Sequence, residues 1–250
     1  MIAKKSDLKG LGKCGRIAAF TLRELVRNVR PGVTTSELNS ITERLITARG
    51  ATPSFKNYRN YPSALCVSIN DEVVHGLPGQ RKIKLGDLVG LDIGVNLDGY
   101  FTDCATTVSV GRPTPKVQSL LLGVKEALTE TIKEAKAGCH VGDLESKCGE
   151  VLNGYHLVPI LALSGHGTGR AVHELPAIKS DGQAGEGAKI VEGMVLAIEP
   201  MATLESGQVR TSSDGWTVKT VNREPSAHFE HTVIVGKAGA KILTSQGLKG

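Results

Sequence analysis

The sequence predicts an α/β fold made of two related halves, near residues 14–111 and 116–236 of a single domain spanning 1–250, and three observations predict it. First, Lys82-Ile83-Lys84-Leu85-Gly86-Asp87-Leu88-Val89-Gly90-Leu91-Asp92 and Lys189-Ile190-Val191-Glu192-Gly193-Met194-Val195-Leu196-Ala197-Ile198-Glu199 share one pattern. Both read K-I-x-x-G-x-(L/V)-x-x-(L/I)-acid, 107 positions apart. Second, three more segments match in the same chain order: 32–38 with 138–144, 75–78 with 173–176, and 107–111 with 232–236. Third, each half reads as two helices followed by a run of strands. Short glycine-containing strings recur by chance, but four matches in one order with varying gaps point to a duplication about a pseudo-twofold axis.

The first half opens with a helix over about residues 16–29, stopped at Arg30-Pro31-Gly32, where proline cannot continue the hydrogen-bond ladder. Thr34 and Glu37 make a capping-box signature for a second helix to about residue 49, closed by Gly50. Residues 51–63, with two prolines and both Tyr58 and Tyr61, read as a loop. Strands follow at 65–69, 88–92 and 101–110, the last after the turn-like Leu97-Asp98-Gly99. Arg112-Pro113-Thr114-Pro115 marks the join. Helices at about 116–137 and 143–153, then strands near 157–161, 195–199, 209–210, 216–218 and 229–235, complete the second half. Asp103 stands four residues before Thr107 and Glu230 two before Thr232, so each acid shares a strand face with its threonine.

Composition narrows the classes. Hydrophobic and charged fractions of 40% and 22% suit a soluble globule. No apolar run approaches the ~20 residues of a membrane span, and the first residues lack the apolar core of a secretion signal. Five scattered cysteines (Cys14, Cys66, Cys104, Cys139, Cys148) without a CxxC pair argue against a disulfide scaffold or zinc knuckle and for the reducing cytoplasm. The net charge of +5 is mild. Lys4, Lys5, Lys9, Lys13 and Arg16 form a locally basic stretch that fits either a contact with RNA or a solvated helix face. With no nucleic-acid module and only nine aromatic residues for stacking, neither a specific nucleic-acid partner nor a membrane is expected.

The candidate ligands are Asp92, Asp103, His166, Glu199 and Glu230. A carboxylate at the end of an apolar run costs several kcal/mol to bury unpaired. Asp92 alone fits an ion pair with lysine or arginine, or a strand end facing water, as well as it fits a ligand. Glu199 is harder to explain that way, because residues 195–201 are otherwise apolar. Four carboxylates in one cleft repel one another and take up protons unless cations neutralise them. Two bridged divalent ions do so, and oxygen-rich ligation with a single imidazole suits Mn, Fe, Co or Zn.

His166, in Ser164-Gly165-His166-Gly167-Thr168-Gly169-Arg170, belongs to neither a Walker loop nor a dinucleotide fingerprint, and a glycine-flanked histidine can be a plain loop residue. His173-Glu174-Leu175-Pro176 is not HExxH: no second histidine follows, and Pro176 breaks a helix. His228, two residues before Glu230, shares its strand face and is open to a role behind the ligands; His231 faces the other way, into packing. His140 and His156 read as surface or structural residues. No G-x-S-x-G occurs, and Cys66 and Cys104 read as buried thiols rather than nucleophiles.

Residues 70–78, 91–94 through Asp103, 165–167 through Glu174, 198–201, 214–220 and 229–232 together resemble the type I methionine aminopeptidases, over about residues 16–244. The resemblance implies the pita-bread fold, a curved, mainly antiparallel sheet covered by helices. It implies two divalent ions, one held by Asp92, Asp103 and Glu230, the other by Asp103, His166, Glu199 and Glu230. Glu199 would shuttle a proton, His173 would donate to the scissile carbonyl, and His75 would lie near the scissile nitrogen. Tyr58, Tyr61, Cys66, His75 and Trp216 would line a methionine pocket, with His173 also against the substrate. The implied partners are the N-terminal methionine of peptides and nascent proteins, with transient ribosome contact, for a cytoplasmic monomer. Val172 replaces a frequent bulky aromatic, and Phe55 stands where some members have a smaller residue. The same ligands serve proline-directed relatives, aminopeptidase P and prolidase, but those carry a separate N-terminal domain for which this length leaves no room. An inactive binding relative would have lost ligands, and here all five remain.

Overall fold

The computed structural model describes residues 1–245. Its main sheet has nine antiparallel strands in the order Thr52–Pro53, Leu88–Leu97, Tyr100–Ser109, Glu230–Val235, Val195–Ile198, Gly165–Gly167 and Glu174–Ile178, with Cys66–Ile69 on Leu88–Leu97 and Ala240–Ile242 on Glu230–Val235. Four helices cover it. α1 (Leu8–Asn28) packs on α2 (Thr35–Thr47) and on Leu88–Leu97 and Tyr100–Ser109; α3 (Pro115–Glu134) packs on α4 (Val141–Gly154) and on Glu230–Val235 and Val195–Ile198. This is the pita-bread arrangement.

Strand alternation explains why helices cover one face and polar groups collect on the other. Leu91, Ile93 and Cys104 join Leu22, Leu25, Leu38 and Ile46 in one core. Leu196, Ile198 and Val233 join Leu120, Val124, Leu144 and Leu152 in a second. Each such side chain stabilises the fold by ~1.5–3 kcal/mol when fully buried. The intervening residues, Asp92, Asp103, Ala105, Ala197, Glu199, Glu230 and Thr232, therefore point away from the helices. Two three-stranded sheets, Ser226–His228/Met201–Thr203/Val158–Pro159 and Val209–Thr211/Val218–Thr220/Glu72–Val74, complete the fold.

The Thr34–Glu37 capping box forms as expected: Glu37 N–H donates to Thr34 Oγ1 at 3.1 Å, and Thr34 N–H to Glu37 Oε2 at 2.7 Å. Other expectations need correction. α1 begins at Leu8, not near residue 16. Gly10, Gly12 and Gly15 lower helix propensity, but a Cβ at Gly10 would lie 2.3 Å from the Tyr100 ring and one at Gly15 2.3 Å from Leu243 O. Those glycines let the helix approach the sheet. The strand expected at 88–92 runs on to Leu97, so Asp92 sits inside it rather than closing it. The strand expected at 216–218 is Val218–Thr220, because Asp214 Oδ1 holds the N–H groups of Trp216 (2.8 Å) and Thr217 (2.9 Å) in a turn. Gly165–Gly167 and Glu174–Ile178, without strand patterning of their own, are strands through pairing with Val195–Ile198 and with each other.

Tyr100–Ser109 and Glu230–Val235 pair only through Ala105–Glu230 and Cys104–His231. Just beyond each end a threonine hydroxyl replaces the backbone ladder. Thr232 Oγ1 accepts from Asp103 N–H at 2.9 Å, and Thr107 Oγ1 accepts from His228 N–H at 3.0 Å. Thr107 Oγ1 then donates to His228 O at 2.9 Å; Thr232 Oγ1 lies 2.8 Å from Asp103 O and 2.9 Å from Asp103 Oδ1.

Candidate metal centre

The five candidate ligands come from five strands that are consecutive in the sheet. Asp92 lies on Leu88–Leu97, Asp103 on Tyr100–Ser109, Glu230 opens Glu230–Val235, Glu199 directly follows Val195–Ile198, and His166 is the middle residue of Gly165–Gly167. Ala105 is the cross-strand partner of both Asp92 and Glu230. Its methyl group leaves room for the two carboxylates on either side.

Asp103, His166 and Glu230 are buried, and one ligand atom from each lies within 4.8 Å of the others. His166 Nε2 is 3.5 Å from Asp103 Oδ2 and 3.4 Å from Glu199 Oε1. Its Nδ1 lies 2.9 Å from Gly167 O; donation there leaves the Nε2 lone pair facing the carboxylates, the usual way a ligating imidazole is oriented. Burial raises the pKa of all four acids, and the neighbouring carboxylates reinforce the shift at Asp92, Glu199 and Glu230. His166 draws Asp103 and Glu199 back down, and His228 does so for Asp92.

Among the described residues, no lysine or arginine nitrogen lies within 4.0 Å of these acids, so the ion-pair reading of Asp92 does not hold. Asp92 Oδ1 is buried with no hydrogen-bond partner. Four gathered carboxylates, one lone-pair imidazole and an orphaned oxygen fit divalent cations.

All eleven residues expected at the site line one cavity of about 320 Å³: Tyr58, Tyr61, Cys66, His75, Asp92, Asp103, His166, His173, Glu199, Trp216 and Glu230. Tyr61 OH donates within reach of Leu65 O (3.1 Å) and Gly76 O (3.0 Å), and its ring meets Trp216 edge-on at 5.2 Å. His173 Nδ1 is 3.0 Å from Tyr58 OH, and its ring centre is 4.3 Å from that of His166. Desolvation, then His166, brings His173 down to about 4; desolvation, then His228, does the same for His75. Both rings are neutral at pH 7. His75 takes a left-handed φ of 58°, a strained backbone typical of functional positions, beside Gly76, where a Cβ would meet Val67 O at 2.1 Å.

Cys66 is buried; burial, then Asp92, raises its thiol pKa well above the usual range, so it lines the pocket as a neutral thiol. Phe55 also lines the cavity, whereas Val172 is buried and does not. Sequence reasoning did not single out Val74 and Met201, although both lie in the matching segments, nor Leu163 and Arg59, which also line the cavity. His231 turns away as expected, its Nδ1 3.0 Å from Thr244 Oγ1.

The sequence profile described as metallopeptidase family M24 matches residues 9–237. A methionine aminopeptidase of Clostridium perfringens is 39% identical over 98% of this chain and 98% of its own length. The crystal structure of methionine aminopeptidase from Thermotoga maritima superposes with a TM-score of 0.97 at 36% identity, covering 98% of this chain and 99% of that one. Prolidase from Pyrococcus furiosus shares the fold, with a TM-score of 0.80 at 24% identity over 99% of this chain and 66% of its own. No helix among the described residues is long and apolar enough to cross a membrane. The chain belongs to metallopeptidase family M24 and, within it, to the methionine aminopeptidases.

Proposed function

We propose that this protein removes the N-terminal methionine from peptides and newly made proteins with two divalent cations, drawn from Co, Mn, Fe and Zn. The observation that carries the reading is the convergence of Asp92, Asp103, His166, Glu199 and Glu230, from consecutive strands, on one cleft where, among the described residues, no lysine or arginine nitrogen lies within 4.0 Å of the acids. Asp103 and Glu230, between the other ligands in strand order, would be shared by the two cations; Asp92 would complete one set, and His166 and Glu199 the other. When bound, the cations supply positive charge that acidifies a water molecule and polarises the scissile carbonyl.

The protein's own groups do the rest. Glu199 accepts the proton from the attacking water and passes it to the leaving amine. Neutral His173 donates a hydrogen bond to the carbonyl oxygen as charge develops there. Neutral His75 faces the scissile nitrogen. Tyr58, Tyr61, Cys66, Trp216 and His75 enclose the methionine side chain, whose flexible thioether suits an aromatic and sulfur lining. The proline-directed reading is not favoured, since the full-length relatives are methionine aminopeptidases.

The protein acts in the cytoplasm as a monomer in transient contact with the ribosome. Five free, buried cysteines support the cytoplasm, and the basic start of α1 supports the ribosome contact. Dimers in sedimentation velocity, or no co-sedimentation with ribosomes at low salt, would remove those parts. Methionine release from Met-Gly-Met by chelator-treated protein, with each metal added back in turn, tests the activity. Cleavage of Xaa-Pro peptides alone, or of nothing with any metal, overturns it.

A further inference from the structure

His228 is a buried imidazole to which the reading above gives no task. It is 4% exposed, and its buried Nε2 has no hydrogen-bond partner among the described residues. Glu199 Oε2 lies 3.4 Å from that nitrogen. The Glu199 carboxylate is thus flanked by two imidazoles, with Oε1 3.4 Å from His166 Nε2 on one side and Oε2 facing His228 on the other.

The backbone of His228 is held from two directions. Thr107 Oγ1 accepts from its N–H at 3.0 Å and donates to its carbonyl at 2.9 Å. Its strand, Ser226–His228, pairs with Met201–Thr203, which begins two residues after Glu199. The same hydroxyl arrangement holds Asp103 at the other end of the two-pair ladder. One end presents the Asp103 carboxylate to the cleft, and the other turns the His228 imidazole toward Glu199.

We propose that His228 is a positioning residue for Glu199. In its Nε2–H tautomer it holds Oε2, so that Oε1 is the oxygen presented beside His166 Nε2 and Asp103 Oδ2 to a cation. A small change in ring tilt closes the 3.4 Å approach to a hydrogen bond. The carboxylate then keeps one orientation while it handles the proton. This rests on the metal reading proposed above. A glutamine amide can donate to the same oxygen, whereas leucine fills similar space and donates nothing.

The test compares His228→Gln, His228→Leu and Glu199→Gln in the full chain. The readouts are calorimetric titration with Co(II), the visible absorption of the Co(II) protein, and kcat and KM on Met-Gly-Met. His228→Leu should bind Co(II) about 10–100-fold more weakly, with shifted visible bands and a loss concentrated in kcat. His228→Gln should recover affinity to within about threefold of the parent, because the donor is restored. Parental Co(II) affinity and spectrum in His228→Leu, or equal impairment in both His228 variants, overturns the proposal. Should His228→Leu fail to fold, His228→Met supplies the same comparison. If Glu199→Gln itself leaves Co(II) binding unchanged, the metal reading has failed; if it weakens binding while the His228 variants do not, only this inference has.

Discussion

Replacing Thr232 by valine removes one hydroxyl and almost no volume. Thr232 is fully buried, and its Oγ1 accepts from Asp103 N–H at 2.9 Å while lying 2.8 Å from Asp103 O and 2.9 Å from Asp103 Oδ1. Valine leaves that buried N–H without an acceptor, a cost of ~1–3 kcal/mol, and frees the Asp103 carboxylate to rotate. A loss near 2 kcal/mol lowers Tm by about 4–8 °C for a chain of this size. Because Asp103 is a proposed bridging ligand, affinity for Mn(II) should fall about 10–100-fold as well. Thr107→Val is the control, since it removes the equivalent backbone bonds at His228 but touches no carboxylate. It should cost similar stability and less metal affinity. Thermal melts of chelator-treated protein and calorimetric Mn(II) titration read both effects. A Thr232→Val melt within about 1 °C of the parent, or Mn(II) affinity unchanged from the parent, would refute the idea that this hydroxyl holds the proposed ligand.

Three further outcomes follow from the same geometry. Asp103→Asn and Glu230→Gln should abolish methionine release while the chelated protein keeps its circular dichroism, because each replaces a buried, mutually repelled acid by a neutral isostere; measurable turnover would show that the acid does not bridge. His173→Ala should lower kcat by about 10²–10³-fold with little change in KM, as for loss of one oxyanion donor, and undiminished turnover would end that assignment. The third outcome is a pH dependence. Burial, opposed by nearby imidazoles and reinforced by neighbouring acids, pushes Asp92 and Glu199 up to about 8, so the folded, chelated protein keeps protons that unfolded carboxyls lose near 4. Their contribution to stability is complete below about pH 4 and is lost as pH rises through about 8. His75, His173 and His231, lowered to about 4, act in the opposite sense but only below about 6.5. Melting chelated protein between about pH 7 and 8, above the histidine range and below that of unfolded thiols, isolates the carboxylates: the midpoint should fall, saturating Mn(II) should flatten the fall, and a rise would contradict the sign.

The candidate ligands stood out because a carboxylate amid apolar residues is costly wherever it lies, and the cost shows in sequence without knowledge of pairing. Asp92 and Glu199 announced themselves this way. The helices were legible where capping marked them, as at Thr34 and Glu37, and illegible where packing overrode propensity, as at Gly10 and Gly15 of α1. His166 was readable as a loop residue because the pairing that makes Gly165–Gly167 a strand comes from Ala197 and Leu196, some thirty positions away. His228 gave the weakest signal. An imidazole can be a ligand, a donor or a neutral packing group, and only its orphaned Nε2 beside Glu199 separates these.

That dependence on distant partners bears on how the centre assembles. Asp103 is held by Thr232 and His228 by Thr107, contacts 129 and 121 residues apart in sequence. No segment can form the ligand geometry before the strands backed by α1 and α2 meet those backed by α3 and α4. Within the main sheet the meeting rests on two ladder pairs and two threonine hydroxyls, and outside it Glu72–Val74 pairs with Val218–Thr220 while Phe101 N–H donates to Gly169 O. Gathered without cations, the four acids must repel one another or hold protons, so association of the two sheet regions and metal binding favour each other. A cavity introduced deep in either core, such as Leu25→Ala or Leu144→Ala, should therefore weaken metal affinity when it loosens the junction, although neither side chain lines the cleft. Equal Mn(II) affinity in parent and core variants, alongside a clearly lowered melt, would show instead that the central strands hold their spacing independently of the helices behind them.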